Sequence, residues 1–129
     1  AAANLRDAYA QALYALYTVL WGLSSRSHPR YYPQLSAQQQ AALIAGFGRL
    51  PEPIDNDGMS PTLSQVWGEI VHTAEADHLD VMGQYGDRLG PGIHADWLPS
   101  GSGFDRVRFT TLWQDVAAFV TKSAERAES

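Results

Sequence analysis

The sequence predicts an α/β fold that is mostly helical within this chain, with one or two strands that complete a sheet supplied by another segment. Apolar residues recur at spacings of three and four over residues 5–23 and 106–126, which is typical of amphipathic helices. Between them, the run 66–73 is rich in β-branched and aromatic side chains and favours a strand. Because a lone strand leaves backbone donors and acceptors unpaired on both edges, we expect its partner strands to come from elsewhere.

The first element is a predicted helix of about five turns with Asn4 as its N-cap. We expect it to pack as a core helix, because leucines and aromatic residues together widen its apolar face. These residues are Leu5, Tyr9, Leu13, Tyr14, Leu16, Tyr17, Leu20, Trp21 and Leu23.

A second, shorter helix follows a predicted loop over residues 24–33, which is rich in prolines and hydroxyl residues. Ser36 is the predicted N-cap of this helix, which runs from Ala37 to about Ala45. The run Gly46-Phe47-Gly48 is expected to end it.

The last part of the chain begins with one or two helical turns predicted over residues 79–85. A glycine- and proline-rich loop follows over residues 86–103 and contains His94, Asp96 and Trp97. The final helix is predicted over residues 106–126. Its inward-facing residues are expected to be Val107, Leu112, Val116, Phe119 and Val120.

Charge and composition exclude several classes of partner and chemistry. Nine Lys and Arg against fourteen Asp and Glu give a net charge of −5, without a basic run suited to nucleic acid, so we expect no nucleic-acid partner. The absence of cysteine excludes disulfides, zinc–thiolate sites and thiol nucleophiles. No uninterrupted apolar stretch approaches the length of a membrane span, so we expect no transmembrane segment.

Two side chains stand out as a candidate acid and base. Asp57 lies in the run Asn56-Asp57-Gly58, which favours a tight turn that presents the carboxylate at a loop tip. His78 follows the apolar run 66–73 and is expected at the end of that element. A carboxylate and an imidazole placed in this way are able to meet as the orienting acid and general base of a hydrolase.

The sequence around these two residues resembles the C-terminal part of secreted bacterial lipases of the α/β-hydrolase fold. The family's turn has the pattern Asn-Asp-Gly-apolar, matched here at residues 56–59, and its histidine loop has the pattern His-Leu-Asp-x-x-x-Gln, matched at residues 78–84. The resemblance covers about residues 50–120 and implies that Asp57 is the acid and His78 the base of a Ser-His-Asp triad. It also implies a secreted carboxylic-ester hydrolase of the lipase or esterase type, acting on lipids or aliphatic esters.

The resemblance places the nucleophilic serine outside this chain. In the family the serine stands in a Gly-x-Ser-x-Gly turn that precedes the acid and the base, and none of the ten serines here has that context. We therefore expect residues 1–129 to form a single C-terminal half-domain whose partner is the N-terminal portion of the same hydrolase. Within it, residues 1–50 would be a lid-like helical insertion that contacts the acyl group. Residues 51–129 would supply the acid turn, the strand, the histidine loop and the final helix.

The resemblance also implies a structural calcium ion, although the triad chemistry itself requires no cofactor. Asp80 and backbone oxygens from Gln84 onward would contribute its ligands. Calcium usually takes more than one carboxylate, and the family's second aspartate has no counterpart here, because no acidic residue lies between Asp7 and Glu52. The alternative is that Asp80 braces the histidine loop through hydrogen bonds.

Two interpretations from other functional classes stay open. His72, Glu75 and His78 are spaced three apart, so a helix would offer them as ligands of a metal-binding module, although the β-branched run before them opposes a helix. Alternatively, the aromatic first helix would be the partner face of a non-catalytic interaction module.

Overall fold

A computed structural model of the protein describes residues 2–27, 30, 32–86 and 96–128. Its three α-helices are α1 (Ala2–Ser24), α2 (Ala37–Phe47) and α3 (Arg106–Ala127). Two short 3-10 helices, Thr62–Gln65 and Asp80–Met82, lie between α2 and α3, and the other described residues there are irregular. The site residues are therefore carried by turns, which the helices hold in place.

Helix α1 begins at Ala2, so the prediction that Asn4 is its N-cap is wrong. Its apolar face is only partly covered within the described residues. Tyr9, Leu16 and Leu23 are exposed, whereas Tyr17 and Trp21 are half-buried. The expectation of a core helix is therefore met only on the side that faces residues 54–58.

Helix α2 forms where its local signals predict it. Ser36 Oγ accepts a hydrogen bond from Gln39 N–H at 3.2 Å, and Gln39 Oε1 accepts one from Ser36 N–H at 2.9 Å. This capping box satisfies backbone donors that a helix start otherwise leaves unpaired. The helix ends at Phe47, and Gly48 takes the left-handed C-cap conformation.

The predicted strand over residues 66–73 is absent, and so is the predicted α/β architecture. Within the described ranges, the single backbone bridge joins Asn56 and Pro61, inside the turn that carries Asp57. β-branched residues favour an extended backbone, but a strand requires a neighbouring strand for its hydrogen bonds. Gly68 also takes a positive φ of 75° and interrupts the run near its start. The described part of the chain is helical, without a strand that completes a sheet.

The final helix meets the predicted range. Its predicted inward face is met at Leu112, Val116 and Phe119, which are half-buried, but not at Val107 and Val120. Asp105 is its N-cap, with its carboxylate accepting from Arg108 N–H at 2.9 Å. Val107 and Val120 were expected inward but are 71% and 59% exposed. The face that packs against the rest of the chain instead begins with Phe109, whose ring centroid lies 5.3 Å from that of Tyr85.

A small core lies beneath α3 and holds the histidine loop. Tyr85, Leu98 and Phe104 are buried, and the Tyr85 and Phe104 rings meet edge to face at 6.0 Å. Trp113 Nε1–H donates to Val81 O at 3.1 Å, which joins α3 to the short helix that follows His78. The loop carrying the candidate base is thereby attached to a long, regular helix.

Among the helices of the described residues, none combines the length and hydrophobicity that crossing a membrane would require.

Candidate active site

The turn that carries Asp57 is built by the side chain before it. Asn56 Oδ1 accepts from Gly58 N–H at 2.8 Å, an interaction that closes an Asx-turn. The Asn56 amide donates to Ile54 O at 2.9 Å and to Ser25 Oγ at 3.0 Å. Because Ser25 directly follows α1, this one side chain both shapes the turn and attaches it to the first helix.

An ion pair stabilises the approach to the same turn. Arg49 donates to both carboxylate oxygens of Asp55, at 2.7 and 2.8 Å. The hydrogen bond from Arg49 lowers the pKa of Asp55, and the N–H of Glu52 lowers it as well, whereas partial burial acts in the opposite direction. Asp55 therefore stays charged and paired while its neighbour Asn56 forms the turn.

Helix α1 packs directly against the turn at Gly58. This glycine is buried with φ of 91°, and a Cβ atom there would lie 2.7 Å from a ring carbon of Tyr17. Burial raises the pKa of the Tyr17 hydroxyl, and the charges of Asp77 and Asp57 raise it further. The tyrosine ring therefore packs on the turn that carries Asp57.

The carboxylate of Asp57 accepts four hydrogen bonds. Met59 N–H and Ser60 N–H donate to Oδ1 at 2.9 and 2.6 Å. Gln65 Nε2 approaches Oδ2 at 3.1 Å, and His78 Nδ1 approaches the same oxygen at 2.8 Å. Two donors on each oxygen restrict rotation of the carboxylate about the Cβ–Cγ bond.

The structure brings His78 onto Asp57 across twenty-one residues of sequence. A backbone hydrogen bond from His78 N–H to Asp57 O, at 2.9 Å, accompanies the side-chain contact. An ionised carboxylate only accepts hydrogen bonds, so this contact assigns the proton to Nδ1 and leaves Nε2 as the proton acceptor of the neutral ring. The His78 side chain is 39% exposed against 15% for Asp57, so the base is the more accessible member of the pair.

The histidine loop is held by a reciprocal pair of aspartates. Asp77 Oδ1 accepts from Leu79 N–H at 2.9 Å and from Asp80 N–H at 3.1 Å. Asp80 Oδ2 accepts in return from Asp77 N–H at 2.9 Å. This is the geometry of a capping box, with His78 at its first enclosed position. The spacing of three between the two acidic residues is the sequence signal for such a box.

Two serines connect these aspartates to the loop before α3. Ser100 Oγ donates to Asp77 Oδ2 at 2.8 Å, and Ser102 Oγ donates to Asp80 Oδ2 at 2.8 Å. Both aspartates are 2% exposed. Burial raises the pKa of Asp80 to about 6, the charges of Asp77 and Asp96 raise it too, and its two hydrogen bonds act in the opposite direction. Burial is likewise the main cause of the raised pKa of Asp96.

The residues around Asp80 fit the bracing role better than a calcium site. Asp80 Oδ2 already accepts from an N–H and a hydroxyl, and both oxygens of Asp77 are occupied by donors. Gln84 donates its N–H to Leu79 O at 3.1 Å, and residues 87–95 lie outside the described residues. No group of three metal-ligating side chains is found in the part of the chain that the structure describes. Calcium binding through Asp80 and Gln84 stays a prediction.

The second described histidine belongs to a separate pair. His72 Nδ1 lies 2.7 Å from Asp115 Oδ2 on α3. His72 and His78 thus contact different carboxylates, Glu75 is exposed, and residues 66–77 do not form the helix that a metal-binding module needs. His28 and His94 lie outside the described residues.

A groove of about 670 Å³ lies beside the pair. Apolar side chains from all three helices contribute to its wall, among them Trp21, Leu43 and Leu112. Of the two candidate site residues, Asp57 lines this groove and His78 does not. The groove therefore contacts the acid of the pair but not the imidazole.

Comparison with protein-family models, with curated proteins and with solved structures finds no match to this chain. What the site does has to be inferred from its own geometry.

Proposed function

We propose that this chain supplies the acid and the base of a carboxylic-ester hydrolase, while a second polypeptide portion supplies the serine nucleophile from a Gly-x-Ser-x-Gly turn. The observation that carries the proposal is the contact of 2.8 Å between His78 Nδ1 and Asp57 Oδ2. Two further observations support the proposal. Backbone donors orient the Asp57 carboxylate, and the His78 imidazole is partly exposed. This is the arrangement in which an acid orients a base whose second nitrogen is available for proton transfer.

The chemistry follows from the properties of the two side chains. A serine hydroxyl is a weak nucleophile, so His78 Nε2 accepts its proton as the oxygen attacks the ester carbonyl. The same nitrogen then gives the proton to the departing alcohol, and an acyl-serine remains. Water then attacks the acyl-serine with the same proton transfers through His78, and the carboxylic acid is released. Asp57 keeps the proton of the neutral imidazole on Nδ1 and stabilises the imidazolium that forms in each step.

The surface of α1 supports lipids or aliphatic esters as substrates. Its exposed apolar side chains include Tyr14, Leu16 and Val19, and Tyr17 of the same helix contacts the Asp57 turn at Gly58. A helix placed in this way would contact the acyl portion of an ester while remaining attached to the acid. This lid role is part of the proposal. Secretion is also part of it, because lipids and aliphatic esters are substrates of the secreted lipases that the sequence resembles.

The proposal is tested on the chain together with the polypeptides that copurify with it. A phosphonate probe for active-site serines should label a companion that carries Gly-x-Ser-x-Gly, and the assembly should hydrolyse nitrophenyl esters. His78→Gln should lower kcat by roughly 10³- to 10⁵-fold, the scale seen when a triad base is lost. The matched control is His72→Gln, which breaks a histidine–aspartate contact of 2.7 Å outside the proposed site and should retain activity.

Two outcomes would overturn the proposal. One is ester hydrolysis that survives His78→Gln but is lost in the His72 variant, which would make His72 the base. The other is the absence of both a labelled companion and ester hydrolysis in every fraction that contains the folded chain, which would favour a non-catalytic interaction module.

A further inference from the structure

Gln65 makes the one side-chain amide contact to the Asp57 carboxylate within the described residues. It is the last residue of the 3-10 helix Thr62–Gln65. Its Nε2 donates to Asp57 Oδ2 at 3.1 Å and to Ser60 O at 3.2 Å. The residue is exposed, so filling the core does not account for its position.

The Gln65 amide contacts the same carboxylate oxygen that the His78 imidazole contacts. Oδ2 is the atom that accepts from His78 Nδ1, and a carboxylate oxygen has two lone-pair directions. Gln65 and His78 are the two donors to Oδ2, and two backbone N–H groups donate to Oδ1. With two donors on each oxygen, rotation of the carboxylate breaks hydrogen bonds on both oxygens at once.

From this geometry we infer that Gln65 is a positioning residue, which holds the Asp57 carboxylate in the plane that keeps the proton of His78 on Nδ1. Its effect on turnover rests on the proposed hydrolase function. Its effect on the imidazole does not, because the position of the proton is a property of this chain alone. Loss of the amide donor leaves Oδ2 one partner short, and the carboxylate then turns more freely beneath the ring.

The test measures directly which nitrogen of the His78 imidazole carries the proton. Long-range ¹H–¹⁵N spectra of the histidine-labelled chain at about pH 9, where an unperturbed imidazole is neutral, distinguish a proton on Nδ1 from one on Nε2. Signals are assigned with His78→Gln and His72→Gln. In the native chain His78 should carry its proton on Nδ1. In Gln65→Met, which keeps the side-chain length without a donor, a measurable fraction of the protons should move to Nε2.

Two further variants and an internal reference separate positioning from general damage. Gln65→Glu also removes the donor while keeping a polar side chain of the same length, and it should produce the same direction of change. Gln38→Met alters an exposed glutamine on α2 and should change nothing. His72, which contacts Asp115, reports on the rest of the fold in the same spectrum.

In the assembled hydrolase, Gln65→Met should lower kcat by about 2- to 10-fold with little change in KM, the scale of one solvent-exposed hydrogen bond. An unchanged His78 proton distribution in both Gln65 variants would overturn the inference, and so would an equal disturbance of His72. A shifted proton with no ester hydrolysis in any variant would instead refute the hydrolase and leave the positioning role standing. Intact ester hydrolysis with an unshifted His78 proton would refute the positioning role and leave the hydrolase proposal standing.

Discussion

Replacing Gly58 by alanine should separate the acid turn from helix α1. The glycine is buried at φ of 91°, and an added Cβ would lie 2.7 and 2.9 Å from two ring carbons of Tyr17. The substitution therefore imposes two penalties, an unfavourable backbone dihedral and a collision with the ring. Either one should loosen the turn that presents Asp57.

The magnitude follows from adding these two penalties. A non-glycine residue at positive φ costs about 1–2 kcal/mol. Overpacking against a well-placed side chain costs about 1–3 kcal/mol. We expect a total of about 2–5 kcal/mol in the free energy that keeps the turn closed.

Amide hydrogen exchange measures this free energy at the site itself. The reporter is His78 N–H, which donates to Asp57 O at 2.9 Å and exchanges when the turn and the histidine loop separate. The expected loss corresponds to exchange faster by roughly 30-fold to several thousand-fold. A Tyr17→Ala background removes the ring, so there Gly58→Ala should cost only the dihedral part, about 1–2 kcal/mol.

The double-mutant comparison also defines the result that would refute this argument. If Gly58→Ala accelerates exchange equally with and without the Tyr17 ring, the collision with that ring is absent. If the substitution leaves the exchange of His78 N–H unchanged, the backbone at this position is not strained by a side chain.

Two further predictions concern stability. The pKa of Asp80 rises from 3.8 to about 6 on folding, so the folded state binds this proton more tightly, and the stability contribution present at low pH should be lost as pH rises through that window. Measured by urea unfolding, the free energy of unfolding should decrease on the order of 2–3 kcal/mol as pH rises through this window, and Asp80→Asn should lack that decrease. An equal pH dependence of the two proteins' free energies of unfolding would contradict this prediction. A Cβ at Gly46 would collide with the Thr73 side chain, so Gly46→Ala should lower the free energy of unfolding by about 1–2 kcal/mol despite its better helix propensity. The control is Gly22→Ala, where nothing lies within 4 Å, and it should leave stability unchanged or raise it by about 0.5–1 kcal/mol; a similar result at both glycines would rule out the collision.

Local signals in the sequence determined the helices. Ser36 and Gly48 delimit α2 because the groups that satisfy its end donors and acceptors lie within a few residues of them. The contact between Asp57 and His78 was also predicted from two short motifs, and the structure contains it at 2.8 Å. Each motif depends on neighbours in sequence, Asn56 and Gly58 for the turn and the two aspartates for the histidine loop. The catalytic roles of the pair remain a prediction.

Tertiary structure alone decided the features that depend on distant residues. The run 66–73 has the composition of a strand, yet a strand exists only through a neighbour that the described residues do not provide. Apolar periodicity predicted that Val107 would face inward, but packing on Tyr85 set the orientation of α3 and left that valine exposed. The sequence predicted no role for Gln65, and only the folded turn brings its amide to Asp57. Backbone pairing, helix orientation and long-range hydrogen bonds all depend on contacts made in three dimensions, which a local pattern does not encode.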